Sequence, residues 1–107
     1  MQQETYKPVP GVEDMKFKYE ANRIALQDKA GKEVGEITFP SIDTNTVEIN
    51  HTFVDPSLRG QGLAAKLVEA AVEKLRNEGK KAVPTCSYVK ARFEENSEYQ
   101  SLVPKNK

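Results

Sequence analysis

One stretch of this chain repeats apolar residues at helical spacing for three turns. Ala64, Leu67, Val68, Ala71, Val72 and Leu75 fall at i, i+3, i+4, i+7, i+8 and i+11, which puts them on one stripe of an amphipathic helix. Gly79 supplies a left-handed stop, and Arg76, Lys80 and Lys81 place cations where the helix dipole favours them. A stripe of this kind needs a sheet or another helix to cover it, and its flanks read as strands. Val47, Ile49, His51 and Phe53 precede it at period two, on one face of a strand, and residues 82–86 follow it as a short strand. Strand, helix and strand in that order form a parallel pair with a right-handed crossover, so the two strands are expected to lie side by side or nearly so. Pro84 makes the second an edge.

Upstream, Phe17 and Tyr19 alternate with charged residues, Ile24 to Leu26 lead into the Asp28–Gly31 turn, and Val34 to Phe39 form a third apolar segment. These are read as an antiparallel meander, with Asp43-Thr44-Asn45 as the turn into the fourth strand. Residues 1–15 contain Pro8, Pro10 and Gly11 without periodicity and are expected to form an extended arm. Residues 88–95 suit a short second helix, and Tyr99, Leu102 and Val103 a packed tail before residues 104–107. The expected organisation is an arm at 1–15, one domain at 16–103 and a tail.

Composition limits what such a domain does. At 107 residues there is room for one domain, and Leu, Ile, Val and Phe, 24 in all, support a small core. No apolar run approaches the roughly 20 residues of a bilayer span, and Met1-Gln2-Gln3-Glu4 does not begin a signal peptide, so a cytoplasmic protein without membrane contact is expected. One cysteine, Cys86, and one histidine, His51, are too few for a structural zinc site. Sixteen basic and 16 acidic residues cancel, but residues 59–92 carry 8 basic and 3 acidic groups. A basic stretch in a neutral chain points to a local anionic ligand, not to a nucleic-acid surface, although a solvated Lys-rich helix face gives the same count.

Leu58-Arg59-Gly60-Gln61-Gly62-Leu63-Ala64 stands between strand and helix. Glycines let backbone approach a ligand closely, and the first N–H groups of a helix lack intrahelical partners, so the segment can cradle a phosphate. The bland alternative is a turn and nothing more. Gly60-x-Gly62-x-x-Ala65 formally fits a dinucleotide fingerprint, but the chain has no second mononucleotide half and no acidic residue ending a second strand. A P-loop is excluded because no Gly-Lys-Ser/Thr is present.

Arg59-x-x-Gly62-x-Ala64, joined to Val83-Pro84-Thr85-Cys86-Ser87-Tyr88-Val89 and Ser97-Glu98-Tyr99, resembles the Gcn5-related N-acetyltransferases, in particular their small, single-motif YjdJ-like branch. The resemblance covers roughly residues 16–103. It implies a compact, half-size α/β fold in which an antiparallel meander is followed by a β-α-β crossover with splayed parallel strands and a short C-terminal helix. It also implies acetyl-CoA or coenzyme A as cofactor, held at Phe53, Val54, Arg59, Gly60, Gln61, Gly62, Leu63, Ala64 and Tyr88. A cysteine at position 86 is a proposed acetyl carrier in that branch; if Cys86 has that role here, His51 on the adjacent strand is the one histidine available to accept its proton. Both have ordinary explanations in packing, although a helix N-terminus in a basic neighbourhood favours thiolate chemistry. Phe53 and Asn96 stand where the branch often has Glu and His, and two strands of a full-length acetyltransferase are expected to be missing.

The function expected is acetyl transfer from acetyl-CoA to a small-molecule or protein amine, with Cys86 as the candidate carrier, by a monomer or weak dimer. The competing readings are a CoA or acyl-CoA binding module without turnover, and a nucleotide-binding or interaction domain that shares only the turn.

Overall fold

Seven of the fifteen residues of the helix at Leu63–Asn77 are buried in the computed structural model, which describes residues 5–104, and they cover a sheet whose strands all precede the helix in the chain. The strands are β1 Thr5–Val9, β2 Val12–Glu20, β3 Arg23–Gln27, β4 Glu33–Thr38, β5 Ser41–Asp43, β6 Thr46–Ile49, β7 His51–Val54 and β8 Lys81–Pro84; the helices are α1 Leu63–Asn77 and α2 Ser87–Glu95. One sheet has the order β1-β2-β3-β4-β7 and is antiparallel; a second has the order β5-β6-β8, with β6 and β8 parallel. This is the expected α/β fold, with the meander, the crossover through α1 and the edge position of β8 as read from the sequence.

Cross-strand register sorts the side chains of the larger sheet into two faces. Phe17, Ile24, Leu26, Ile37 and Val54 share the face that packs on α1, where Leu67, Val68, Ala71, Val72 and Leu75 are buried. Burying each such side chain contributes about 1.5–3 kcal/mol before the entropy of ordering it is charged. Lys18, Glu20, Arg23, Ala25, Glu36, Thr38, His51 and Phe53 share the other face, which carries no helix among the described residues. Ala25 is nonetheless fully buried there, beneath long charged side chains.

Three expectations need correction. Residues 5–15 are not a free arm: β1 pairs with β2 through a turn at Gly11, whose φ of 79° only glycine adopts easily, and Val9 joins the core. Residues 1–4, and 105–107 of the expected tail, lie outside the described residues. The run from Val47 to Phe53 is also not one strand with one buried face. It breaks at Asn50, whose N–H donates to the Thr38 carbonyl at 3.2 Å and whose Oδ1 accepts from Thr38 Oγ1 at 2.6 Å. The extra residue inverts side-chain parity. Val47 and Ile49 are buried before the break, and Thr52 and Val54 turn inward after it while His51 and Phe53 turn outward.

The strand expected at 82–86 ends at Pro84, and Cys86 is instead the N-cap residue of α2. A 3-10 turn at Ser97–Leu102 closes the core, with the Tyr99 ring 5.3 Å from that of Phe93. No helix among the described residues is long and apolar enough to cross a membrane.

Candidate functional site

The break at Asn50 sends one continuous stretch of chain into two sheets. β6 pairs with β8 as far as Ile49 and Pro84, and then the partners part. β7 continues alongside β4, while the other chain turns into α2 after Thr85 and Cys86 both donate their N–H groups to the Ile49 carbonyl, at 3.1 and 3.2 Å. A wedge opens between them. Among the described residues β7 pairs with β4 alone, so one of its edges is open.

Backbone groups alternate along that edge. Asp55 donates its N–H to the Val34 carbonyl at 2.8 Å, and the Phe53 carbonyl lies against Gly35 of β4. Phe53 therefore directs its polar groups into the sheet, and Thr52 and Val54 direct theirs into the wedge. Gly35 is required here, because a Cβ at this position would sit 2.9 Å from the Phe53 carbonyl oxygen.

The floor of the wedge is a cleft of about 380 Å³. β7 contributes Thr52 and Val54, the turn contributes Leu58, Arg59, Gly60 and Gly62, α1 contributes Leu63 and Ala64, and α2 contributes Tyr88. Asp55 builds the turn by accepting from the N–H and Oγ of Ser57, at 2.9 and 2.8 Å, and these bonds hold its carboxyl below the usual carboxylate range. Gly60 and Gly62 have φ of 88° and 74°, and a Cβ on either would meet nothing within 4 Å. Gly62 is the N-cap of α1, and no side chain caps the helix there. The first N–H groups of α1 are thus open to a ligand in the cleft.

Arg59 Nε donates to the Val54 carbonyl at 3.3 Å, which ties the guanidinium to the rim and leaves its terminal nitrogens available. Across the wedge, Cys86 Sγ lies 4.0 Å from Thr52 Oγ1, partly buried. Tyr88 follows on the first turn of α2; partial burial raises its phenol above the ordinary value, so the hydroxyl stays protonated at neutral pH.

Of the residues picked out from the sequence, Val54, Arg59, Gly60, Gly62, Leu63, Ala64 and Tyr88 line the cleft together. Gln61 is exposed and does not line it, and Phe53 turns its ring outward, 42% exposed, on the opposite face. Thr52 and Leu58 line the cleft without having been singled out. Thr52 was legible only to a reader who placed a bulge at Asn50. His51 is not brought to Cys86: it alternates with Thr52 onto the outer face, where Nε2 lies 3.2 Å from Glu36 Oε2. Among the described residues there is no cluster of three or more His, Cys, Asp or Glu side chains able to hold a metal.

A strand pair that parts at a bulge, facing a glycine turn on an uncapped helix, defines an α/β domain with an open strand edge beside a helix N-terminus. The chain belongs to the GCN5-related N-acetyltransferase family, whose profile matches residues 23–102. It is similar to a GCN5-like protein from Staphylococcus aureus, with 30% identity, a TM-score of 0.70, and coverage of 90% of this chain and 94% of that one. YhbS from Escherichia coli, a GNAT family N-acetyltransferase solved in complex with CoA, is 28% identical with a TM-score of 0.54, over 58% of this chain and 38% of that one. Protein NATD1 of Xenopus tropicalis is 33% identical over 60 residues, 56% of this chain and 55% of that protein, so the match spans about half the length of each.

Proposed function

We propose that this chain binds acetyl-CoA in the wedge and transfers the acetyl group to an amine, the active unit spanning residues 16–103 together with the β1 hairpin strand that completes its sheet. The observation that carries the reading is the open edge of β7 meeting the glycine turn in one cleft. The residues fit the cofactor. Backbone N–H groups at Gly60 to Ala64, with Arg59, suit the pyrophosphate; Thr52 and Val54 offer the amide-type partners that an extended pantetheine arm needs; Cys86 and Tyr88 lie beyond them on the other wall. Acetyl-CoA supplies an activated thioester. The protein's part is to fix its position, polarise the carbonyl with strand N–H groups and present a protonated Tyr88 hydroxyl.

Cys86 enters as the acetyl carrier of a two-step route or as a wall residue of a direct one. In the first, Sγ gives its proton to solvent and attacks the thioester carbonyl, the C–S bond to CoA breaks with its electron pair on the CoA sulfur, which takes up a proton from solvent, and an acetyl group remains on Cys86. His51 faces away and does not receive the thiol proton in this structure. Mass spectrometry with acetyl-CoA, first native and then denaturing, separates the routes: we expect a CoA-sized non-covalent complex, and an acetyl group that persists on Cys86 after denaturation. Cys86→Ser should keep the complex and lose the adduct. A complex without an adduct, followed by acetylation of an added amine, establishes direct transfer. A complex without any transfer establishes a binding module, and tighter binding of NAD than of CoA overturns the reading.

Arg59→Ala is expected to weaken CoA binding by less than tenfold, with a larger loss at 20 mM than at 500 mM salt, because an exposed guanidinium acts on phosphate through a screened charge. Titration at both salts, with equal losses as the contrary outcome, checks it.

A further inference from the structure

A second cavity, apart from the wedge, opens between the C-terminal half of α1 and the end of the larger sheet at which β2 turns into β3. Its volume is about 1160 Å³, above the roughly 300–1,000 Å³ of sites for single small molecules. Glu73 and Asn77 line it from α1, Lys7 from β1, Tyr19 from β2, Asn22 from the turn after β2, and Asn50 from the bulge. It shares no lining residue with the cleft, and Glu73 follows Leu63 by ten residues, about 15 Å along the helix. Most of the charge in this lining is matched: Arg23 pairs with Glu20 at 2.9 Å, and Lys74 pairs with Glu78. Lys7 and Glu73, opposite in sign and on different elements, enter no ion pair among the described residues. Tyr19 is near both. Lys7 Nζ lies 5.2 Å from its ring centroid, and partial burial together with the Glu73 carboxylate holds the phenol above its ordinary value. The Tyr19 hydroxyl has no hydrogen-bond partner among the described residues, and neither has the Asn77 side chain.

We propose that this groove binds a short peptide with free termini, its carboxylate on Lys7 and the Tyr19 hydroxyl, its ammonium on Glu73, and its peptide groups on the amides of Asn22, Asn50 and Asn77. A lone anion in the groove would lie near Glu73 and a lone cation near Lys7, so each would meet repulsion as well as attraction; a molecule with both charges, held apart, meets attraction at both ends. The asparagines supply what peptide groups need. Asn50 Oδ1 is taken by Thr38 and Asn22 Nδ2 by the Phe39 carbonyl, which leaves a donor on Asn50 and an acceptor on Asn22, and Asn77 offers both. The lining is polar apart from Ala21, Pro40 and the Tyr19 ring, so affinity comes from these contacts and not from an apolar side chain. The volume leaves room for several residues between the charged ends. The site is occupied independently of acetyl-CoA, and it holds whether or not the wedge transfers an acetyl group.

Triglycine is the probe, since it has the two termini and no side chains. Titrated into the 15N-labelled protein, it should shift the amide signals of Tyr19, Asn22, Glu73 and Asn77 saturably and leave those of Gly60 to Ala64 in place. N-acetyltriglycine, which lacks the ammonium, triglycine amide, which lacks the carboxylate, and glycine, which lacks the length, should each bind at least tenfold more weakly. Lys7 and Glu73 are exposed, so their variants are expected to fold, which the same spectra read. Glu73→Gln should weaken triglycine severalfold and leave N-acetyltriglycine unchanged; Lys7→Met should weaken triglycine and leave the amide unchanged. Both should bind CoA as the wild type does. No saturable shift, shifts at Gly60 to Ala64 in place of Tyr19, or equal binding of triglycine and any of its three analogues overturns the proposal, and so does loss of CoA affinity in either variant.

Discussion

Gly62→Val should weaken binding of both CoA and acetyl-CoA by at least tenfold, about 1.4 kcal/mol, while the protein remains folded. Gly62 is the αL residue at the N-cap of α1, at a φ of 74°, and a left-handed conformation costs a side-chain-bearing residue roughly 1–2 kcal/mol. Apart from its chain neighbours, nothing among the described residues lies within 4 Å of the position its Cβ would take, so the new side chain stands in the cleft. Branched carbons there hold a phosphate away from the first N–H groups of the helix. The affinity loss thus has two sources, and a Gly62→Ala variant separates them, since it carries the strain with little bulk. Calorimetric titration checks the size, and unchanged CoA affinity in folded Gly62→Val would falsify the phosphate cradle.

Gly35→Val is expected to be more damaging, and to act on stability before binding. A Cβ at Gly35 would sit 2.9 Å from the Phe53 carbonyl oxygen, a backbone atom, and 3.3 Å from Leu26 Cδ2 in the packed interior. Inserting carbon into a filled core typically costs 1–3 kcal/mol, and here relief requires β4 and β7 to separate. We therefore expect a loss of at least about 3 kcal/mol for Val, a large part of the 5–15 kcal/mol that holds a typical domain. Urea unfolding reads it directly, and Gly35→Ala should fall between wild type and Val. A Val variant within about 1 kcal/mol of wild type would show that the two strands separate easily.

The contrast between these glycines explains what was readable in the sequence. The α1 stripe, its glycine stop, the crossover to β8 and the turn at residues 58–64 are local signals, set by spacing and by the residues that positive φ allows. Five of the cleft residues, Arg59, Gly60, Gly62, Leu63 and Ala64, follow from them, while Val54 and Tyr88 came only with the family resemblance. Gly35 and Asn50 carry no such signal. Gly35 has an ordinary φ and is needed because another strand passes close by, which only the assembled sheet reveals. Asn50 looks like one more polar position in an alternating strand. Its bond to Thr38 inserts a bulge, and every side chain beyond it changes face, so Phe53 and His51 were placed on the wrong side and Thr52 was passed over. The β1 strand escaped notice for a related reason: its prolines and glycine speak against regular structure locally, yet β2 offers it a complete ladder.

The unpaired edge of β7 also bears on how the protein behaves in concentrated solution. A strand with open N–H and C=O groups is a template to which any extended chain can add, and proteins ordinarily blunt such edges with charge or cover them. Here Thr52 and Val54 lie on a strand of four residues, walled by α2 on one side and by the glycine turn at its end. A ligand lying along the strand satisfies the same groups that would otherwise recruit another chain. Preparations stripped of CoA should then scatter light and form β-rich aggregates sooner than preparations kept saturated with it, and the difference should shrink in a variant whose edge is shielded by a lysine in place of Thr52.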